Sequence, residues 1–469
     1  MKFSMTEINK KPFRRRASER DKARKYPFEG RRRFIALATC QGLREMIVLL
    51  VMMIIPLFGM AQQADTSSVQ IEQYMQQAAQ NNPGLKAEYR QYLSALQQSP
   101  QVSTLPDPEL SFGYFINPIE TRIGPQQARF GITQMFPWFG TLDARGNAAT
   151  QQAKAKFEAF QDVRNKLFYE VQKSWYNLYK IEQVIRILEE NIELLDIFES
   201  LAMQEYETNQ VGQADVLRVQ IEKEDLKSRL ELQKDNRQVA LQEFNELLNR
   251  QSDSKVVTPD SLQKKVLKMS KNELEHVAMR QNPQLSKIDF EASSARSSIK
   301  AAQKEGMPKF GVGIDYMITG ERDMALTDNG QDAILARMGI QIPLYRKKYR
   351  AKEKQAQIQL RSVQDRQQAT ENRLLTQLSK ALRNYNDGQR RLNLYKDIQI
   401  QRTQQTIDIL TEQYATSATD FDELLRLQRK LLDYELAQQQ ALVDLNTAVA
   451  RIEYLYGKHN TNPKEIELE

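Results

Sequence analysis

The stretch "QMFPWFGTLDAR", residues 134–145, joins two segments with different hydrophobic periodicities. Before it, "ARFGIT" (128–133) has an apolar residue at every second position, which is typical of a half-buried β-strand. After it, more than a hundred residues pass without a proline. Proline cannot donate a hydrogen bond to a sheet but is tolerated in the first turn of a helix. The stretch therefore predicts a strand that leads directly into a very long helix.

A second junction of the same kind indicates that the chain is a duplication. The stretch "GIQIPLYRKKYR" (339–350) again places a proline between an alternating segment and a long run without proline. The segment at 205–220 aligns with the segment at 413–428 at a constant offset of 208 residues. The paired prolines are Pro83 and Pro283, Pro108 and Pro308, Pro137 and Pro343, and Pro259 and Pro463. Such an internal repeat predicts two copies of one structural unit.

Each repeat is predicted to contain a helix, a β-hairpin and a long helical hairpin. Apolar residues alternate through two short strands, and heptad spacing then predicts coiled-coil packing. The first repeat (62–260) has predicted strands at about 108–116 and 127–135, an exposed loop at 117–127, and helices at about 141–208 and 213–250. The second repeat (261–457) has predicted strands at about 309–318 and 332–342, a loop at 319–331, helices at about 345–415 and 421–456, and then a polar tail at 458–469.

The four strands place apolar side chains on one face and small or polar side chains on the other. The positions expected to face lipid include Phe112, Phe130, Val312 and Met338. Arginine is expected to be better tolerated on the opposite face, at Ser111 and Gly313. Open sheet edges are not tolerated in a bilayer, and single-chain barrels begin at about eight strands. Four strands therefore cannot close a barrel within one chain.

Three chains would supply the missing strands. The predicted fold is a mixed membrane β-barrel and α-helical barrel, in which a homotrimer closes a twelve-stranded barrel and six long helical hairpins form a continuous tube. A continuous helix at 141–208 would measure roughly 100 Å, which no globular core requires. The sequence therefore favours a duct through a membrane, with Trp138 and Phe139 at the lipid interface. The alternative on the residues alone is a soluble protein that carries the four short strands in a small sheet.

The first 61 residues have the features of a secretory leader. An apolar run at 46–61 ends in small residues, and we expect cleavage after Ala61. The leader holds 14 of the 67 Lys and Arg residues but only 5 of the 60 Asp and Glu residues. The rest of the chain is nearly neutral, so its charge indicates no nucleic-acid partner. Cys40 is the only cysteine and is not expected to carry a lipid.

These motifs resemble the TolC-like outer membrane efflux proteins. The resemblance rests on the Asn-Pro helix starts, "PDPELSFGYF" (106–115), the "FPWFG" junction and the turn motifs at 206–217 and 414–425. It implies a homotrimer in the outer membrane of a Gram-negative cell, whose helical tunnel crosses the periplasm and meets a periplasmic adaptor and an inner-membrane pump. The junction with Leu142 and Arg145 looks most like the heavy-metal efflux branch, although metal ions and organic compounds both stay open as solutes.

Three groups of residues are candidate functional sites. The strand-to-helix junctions contain Pro137, Trp138, Phe139, Gly140 and Pro343. The resemblance implies adaptor contacts at the first hairpin tip, at Asn209, Val211, Gly212, Asp215 and Leu217. At the second tip, three-fold symmetry would gather carboxylates at a periplasmic mouth that favours cations. The candidate mouth residues are Asp420, Asp422, Glu423, Tyr414 and Arg426.

The family comparison also marks departures at these tips. Glu423 matches an acidic family position, whereas Arg426 departs from a second one. Asn209 and Ser417 stand where the family usually has glycine. A simpler role for the acids, as the solvated part of a turn or as a partner contact, stays open.

Two other functional classes fit the sequence less well. A periplasmic coiled-coil adaptor or structural protein would normally have one long hairpin flanked by small β domains, whereas this chain duplicates both hairpin and strands. No carboxylate, histidine or nucleophile constellation indicates an enzyme. His276 and His459, the only histidines, are far apart in sequence. We therefore expect no catalytic residue, no cofactor and no structural metal site.

Overall fold

The computed structural model describes residues 66–208, 211–323, 327–414 and 421–460. The predicted leader, Asn209, Ser417, Asp420 and most of the predicted polar tail lie outside these residues. All described residues belong to one unit, Ala64–Glu469, so the two repeats do not fold as separate domains.

The first repeat begins with three helices and ends with a long helical hairpin. Its elements are α1 (Thr66–Asn81), α2 (Pro83–Leu96), α3 (Gln98–Ser103), β1 (Glu109–Thr121), β2 (Gly124–Phe136), α4 (Thr141–Glu207) and α5 (Gln213–Leu247). The second repeat follows the same plan. Its elements are α6 (Lys271–Gln281), α7 (Pro283–Glu305), β3 (Lys309–Thr319), β4 (Ala333–Gln341), α8 (Arg346–Leu394), a π-helix (Tyr395–Gln399), α9 (Ile400–Tyr414) and α10 (Phe421–Tyr456).

Equivalent asparagines begin the helices that precede each hairpin. The Asn82 side chain accepts a hydrogen bond from the Leu85 amide, and the Asn282 side chain accepts one from the Gln284 amide. Each asparagine is followed by a proline in the first helical turn, where the missing N–H leaves no donor unpaired. Both side chains also donate to a carbonyl near the end of their own repeat, at Leu247 and Leu455. In each repeat, the asparagine of the Asn-Pro pair therefore links the start of one helix to the end of the repeat's last helix.

The four strands form one antiparallel sheet in the order β1-β2-β3-β4. Its register aligns Phe112, Phe130 and Tyr316 across the first three strands. Because opposed residues share a face, the aromatic and aliphatic positions of all four strands lie on the same side. Only one side of β1 and one side of β4 is paired within the described chain.

The first hairpin is longer than the sequence predicted. Residues 117–127 were expected to form an exposed loop, but β1 continues to Thr121 and β2 begins at Gly124. An irregularity between Tyr114 and Ile119 takes up Asn117 and Pro118, the residues that suggested a loop. The loop prediction was wrong because a bulge can hold a proline inside a strand pair.

The long helices pack through the predicted seam, with one interruption. Val171, Leu178 and Leu188 of α4 are buried, as the heptad spacing predicted. The helix predicted at about 345–415 runs from 346 to 414 and includes a π-helical turn at Tyr395–Gln399, whereas the described residues of the first repeat include no π-helix. None of the described helices combines the length and apolar character needed to cross a membrane.

Candidate functional site

The apolar face of the sheet has no cover within the described chain. Met338 is 86% exposed, Leu110 is 78% exposed and Phe112 is 65% exposed. Phe130 and Val312 are also exposed on the same face. A contiguous apolar surface of this kind marks an interaction with a membrane or another protein.

The opposite face carries a buried charge cluster. Asp315 is 0% exposed, and its Oδ2 lies 2.6 Å from Nη2 of Arg129 on the neighbouring strand. Nε of Arg337, on the strand at the other side, lies 3.5 Å from the same oxygen. Arg337 also donates a hydrogen bond to the hydroxyl of Thr133. One carboxylate thus holds two arginines on the polar face.

Glycines make room for this cluster. A Cβ at Gly131 would collide with Oδ1 of Asp315, so a larger residue there would force the carboxylate to move. A Cβ at Gly313 would lie 2.8 Å from the carbonyl oxygen of Ile132. Any side chain at Gly313 would therefore displace backbone, so this position is a poor place to compare arginine on the two faces. At Gly113 and Gly339, by contrast, a Cβ would meet nothing within 4 Å.

The first strand-to-helix junction turns through a left-handed glycine. Gly140 has φ +71° and caps α4, and the Ala144 amide donates to its carbonyl. Proline at 137 ends the strand, since it has no N–H for the ladder. Lys304 donates a hydrogen bond to the carbonyl of Phe139. The junction is thus held by the backbone of its own turn and by a side chain from α7.

Aromatic rings surround this junction. Trp138 stacks on Phe310 with ring centroids 5.8 Å apart, and Phe139 lies 6.2 Å from Phe310. Phe139 is exposed. Aromatic residues with one exposed side are typical of membrane interfaces.

The second junction uses different residues for the same turn. Pro343 is buried, whereas Leu344 and Tyr345 beside it are exposed. Arg346 occupies the position that Gly140 holds in the first repeat, and it donates to the carbonyl of Gly306. The two junctions therefore share a proline but not a glycine.

A cluster of charged side chains joins α4 of the first repeat to α7 and α8 of the second. Arg145 of α4 donates two hydrogen bonds to Oε1 of Glu305 on α7, at 3.0 and 2.5 Å. Lys352 of α8 lies 2.8 Å from Oε2 of the same carboxylate. Burial alone would raise the pKa of the Glu305 carboxyl, but the hydrogen bonds from Lys352 and Arg145 bring it below its ordinary value. Glu305 is therefore a carboxylate with two cationic partners.

The first hairpin tip exposes part of its predicted contact surface. Gly212 and Leu217 are exposed, and Val211 is half-buried. Asp215 accepts a hydrogen bond from Arg218 at 2.8 Å. This tip thus presents apolar and charged groups together, and Asn209 lies outside the described residues.

The second hairpin tip is anchored by buried rings. Tyr414 and Phe421 contact each other with centroids 5.3 Å apart, and Phe421 also meets Phe198 of α4. Burial raises the pKa of Tyr414, and the nearby carboxylates of Glu205 and Asp215 raise it further. The two hairpin tips therefore share one apolar core.

The predicted acidic mouth has arginine neighbours. Asp422 lies 3.9 Å from Arg218 of the first hairpin, and Glu423 lies 3.1 Å from Arg426. The structure brings Asp422 near the first tip but does not describe Asp420. Sequence reasoning missed Arg218, although the offset of 208 residues that aligns it with Arg426 was visible.

Comparisons with known proteins agree with this architecture. Residues 274–458 match the model of the outer membrane efflux protein family. No curated protein sequence matches the chain. The solved structure of the outer-membrane channel OprN is similar with a TM-score of 0.69 and 17% identity, over 83% of this chain and 90% of that one.

Two further channels have the same fold. VceC from Vibrio cholerae is similar with a TM-score of 0.69 and 14% identity, over 83% of this chain and 96% of that one. The open state of the Neisseria gonorrhoeae MtrE channel gives a TM-score of 0.66 and 14% identity, over 83% of this chain and 89% of that one. Residues 274–458 are thus similar to the outer membrane efflux protein family, and 83% of the chain shares the fold of a solved outer-membrane channel.

Proposed function

We propose that this protein is the outer membrane channel of a tripartite efflux system and that three copies form one duct. The observation that carries the proposal is the four-stranded sheet, whose apolar face is exposed and whose two outer edges pair with no described strand. Lipid would cover the apolar face, but an open edge in hydrocarbon leaves backbone groups without partners. Pairing β4 of one copy with β1 of the next removes every edge and gives twelve strands.

The helices support the same arrangement. The long helices α4 and α8 begin directly after β2 and β4, so a closed barrel would continue into a tube of helices. The tube extends away from the membrane and exposes the hairpin tips at its far end. We propose that Val211, Gly212, Asp215 and Leu217, together with Asn209, contact a periplasmic adaptor that links the channel to an inner-membrane pump.

The competing adaptor or structural role lacks a comparable observation. An isolated coiled-coil protein would have no use for a sheet with an uncovered apolar face, because exposed surfaces of this kind lead to association. A channel also needs no catalytic group, since solutes pass without covalent change. The heavy-metal branch stays a proposal that rests on the "FPWFG" junction alone.

The mass of the detergent-extracted protein tests the assembly. We expect a trimer of mature chains that begin near Gln62, recovered from the outer membrane fraction. N-terminal sequencing of the same material locates the cleavage site. A stable monomer, or chains that retain residues 1–61, would contradict the proposal.

Site-specific cross-linking tests the adaptor contact. A photoreactive residue at exposed Leu217 should capture an adaptor in intact cells, whereas the same residue at Leu232, exposed further along α5, should capture less. Equal capture at both positions would argue against a tip contact.

A further inference from the structure

The first turns of α8 carry a concentrated positive charge. Six of the nine residues from 346 to 354 are basic, one is acidic, and all six cations are exposed. We call these six the basic segment: Arg346, Lys347, Lys348, Arg350, Lys352 and Lys354. Arg346 bonds a carbonyl and Lys352 pairs with Glu305. The other four form no ion pair with any described residue.

This charge does not help the helix that carries it. The amino end of a helix has a partial positive charge, which disfavours cations there. The first turn of α8 contains no acidic residue to offset them. Arg350 and Lys354 are four residues apart on one helix face, where like charges repel. Local stability therefore does not explain the basic segment.

The first repeat shows that the turn itself does not need these charges. The equivalent positions, 206 residues earlier, are 140–148, and they contain one cation and one acid, Arg145 and Asp143. Both junctions still lead from strand to helix through a proline. The basic segment is thus an addition specific to the second repeat.

The basic segment continues directly from the apolar face of the sheet. Ile340 and Ile342 are exposed, Leu344 is 77% exposed and Tyr345 is 85% exposed, and Arg346 follows immediately. If lipid covers the sheet, as the proposed function requires, hydrocarbon ends near Tyr345. The headgroup layer adds about 5 to 8 Å on each side of the hydrocarbon, and nine helical residues rise about 13 Å. The basic segment therefore lies at the depth of the lipid phosphates and just beyond.

We propose that the basic segment binds the phosphate groups of anionic phospholipids in the periplasmic leaflet of the outer membrane. Clusters of four to eight Lys or Arg beside a membrane-spanning element attract anionic lipid. Arginine forms paired hydrogen bonds with phosphate, and lysine contributes point charge. The bound lipids would fix the depth of the second junction in the membrane. At the first junction, Trp138 and Phe139 would have the same role. This inference rests on the proposed function.

Lipid binding to the purified trimer, followed by native mass spectrometry in neutral detergent, tests the inference. The probes are phosphatidylglycerol and phosphatidylcholine with identical acyl chains. The test variant replaces the four cations without ion pairs: Lys347→Gln, Lys348→Gln, Arg350→Gln and Lys354→Gln. Glutamine keeps a similar helix propensity, so the helix should persist. The matched control removes four other exposed cations that form no ion pair with a described residue: Arg90→Gln, Lys166→Gln, Lys173→Gln and Lys380→Gln.

The expected result is selective for lipid and for position. The unaltered trimer should bind phosphatidylglycerol about ten-fold more tightly than phosphatidylcholine. The test variant should lose most of that preference, and the control should keep it. Soluble glycerol phosphate at equal concentration should displace neither lipid, because it lacks the acyl chains that would lie against the apolar face of the sheet.

Three results would overturn the inference. They are equal affinity for the two lipids, an unchanged preference in the test variant, and displacement by glycerol phosphate. A trimer that inserts into phosphatidylcholine vesicles but shows no preference would refute the lipid site and leave the channel intact. Failure to form a trimer or to insert would instead refute the proposed function.

Discussion

Asp315 and Arg129 form a salt bridge between adjacent strands at 2.6 Å, with the carboxylate side chain 0% exposed. Arg337 approaches the same oxygen from the other side at 3.5 Å. In a trimeric barrel this cluster would line the lumen in three copies, and each copy would carry one more positive than negative charge. Charge pairing therefore stabilises the sheet on its polar face, and in the proposed channel lipid would cover its apolar face.

Replacing Asp315 with alanine should destabilise the sheet. Removal of one partner leaves Arg129 and Arg337 close together without their shared anion, and breaking a buried pair typically costs about 3 kcal/mol or more. The measurement is the temperature at which the detergent-solubilised trimer dissociates. The control is Glu109→Ala. Glu109 is an exposed acid of β1 on the same polar face of the sheet as Asp315, and its replacement should change that temperature little. Similar losses in both variants would show that the cluster has no special role.

Arginine on the apolar face should impair assembly. Arginine in place of Phe112, Phe130, Val312 or Met338 puts a charge into hydrocarbon. Near the bilayer midplane, each such replacement should lower the stability of the barrel by about 2–4 kcal/mol. Gly113 and Gly339 are the matched controls, since they lie on the polar face with open space around the missing side chain. Trimer yield from membranes measures the effect. Equal tolerance of arginine on the two faces would contradict a lipid-covered sheet.

The sequence predicted the elements whose signals are periodic. Alternation located all four strands, and the duplicated prolines located both junctions, because each proline follows the end of a strand and precedes the start of a long helix. The loop at 117–127 was misjudged since Asn117 and Pro118 are strong turn residues that here lie in an irregular part of a strand pair. Local composition could not distinguish a loop from a bulge.

Contacts that depend on packing were not visible in the sequence. The pairing of Arg145 with Glu305 spans 160 residues, and no local pattern links them. The π-helix at Tyr395–Gln399 likewise lies inside an unbroken helical pattern. At the tips, the acidic residues were found by composition, but their arginine neighbours depend on how the two hairpins pack.

Replacing Glu305 with glutamine should weaken the junction in a pH-dependent way. The pKa of Glu305 is lower in the folded protein than its ordinary value of 4.5, because Lys352 and Arg145 bond the carboxylate. A lowered carboxyl pKa contributes stability above the ordinary value, and this contribution is lost as pH falls through the folded value. The stability difference between the unaltered protein and Glu305→Gln should therefore shrink as pH drops below 4.5.

Trimer dissociation measured across an acid series checks this expectation. The variant Arg145→Gln/Lys352→Gln retains Glu305 but removes both donors, so its acid dependence should be weaker than that of the unaltered protein. A constant difference between Glu305→Gln and the unaltered protein at all pH values would mean that the carboxylate charge does not stabilise the junction.

The second hairpin tip should control ion passage. Three-fold symmetry would place Asp422 and Glu423 of each chain, with Asp420, around the periplasmic mouth, and carboxylates at a narrow opening favour cations and can bind divalent ions. The arginine neighbours modify this prediction, because Arg218 and Arg426 lie 3.9 Å and 3.1 Å from these acids and offset part of their charge. In the proposed trimer the tip would therefore form a ring of mixed charge, and we expect its selectivity to depend on both signs.

Two variants in planar bilayers separate these contributions. Asp420→Asn/Asp422→Asn/Glu423→Gln should reduce cation preference and block by divalent ions, since the attracting charges are gone. Arg218→Gln/Arg426→Gln should change both quantities in the opposite direction, because the acids then act without their neighbours. Both effects should be larger at low salt, where charges are less screened. Unchanged selectivity and unchanged divalent block in both variants would mean that these acids are only solvent-exposed turn residues or partner contacts. That result would leave the proposed channel function intact.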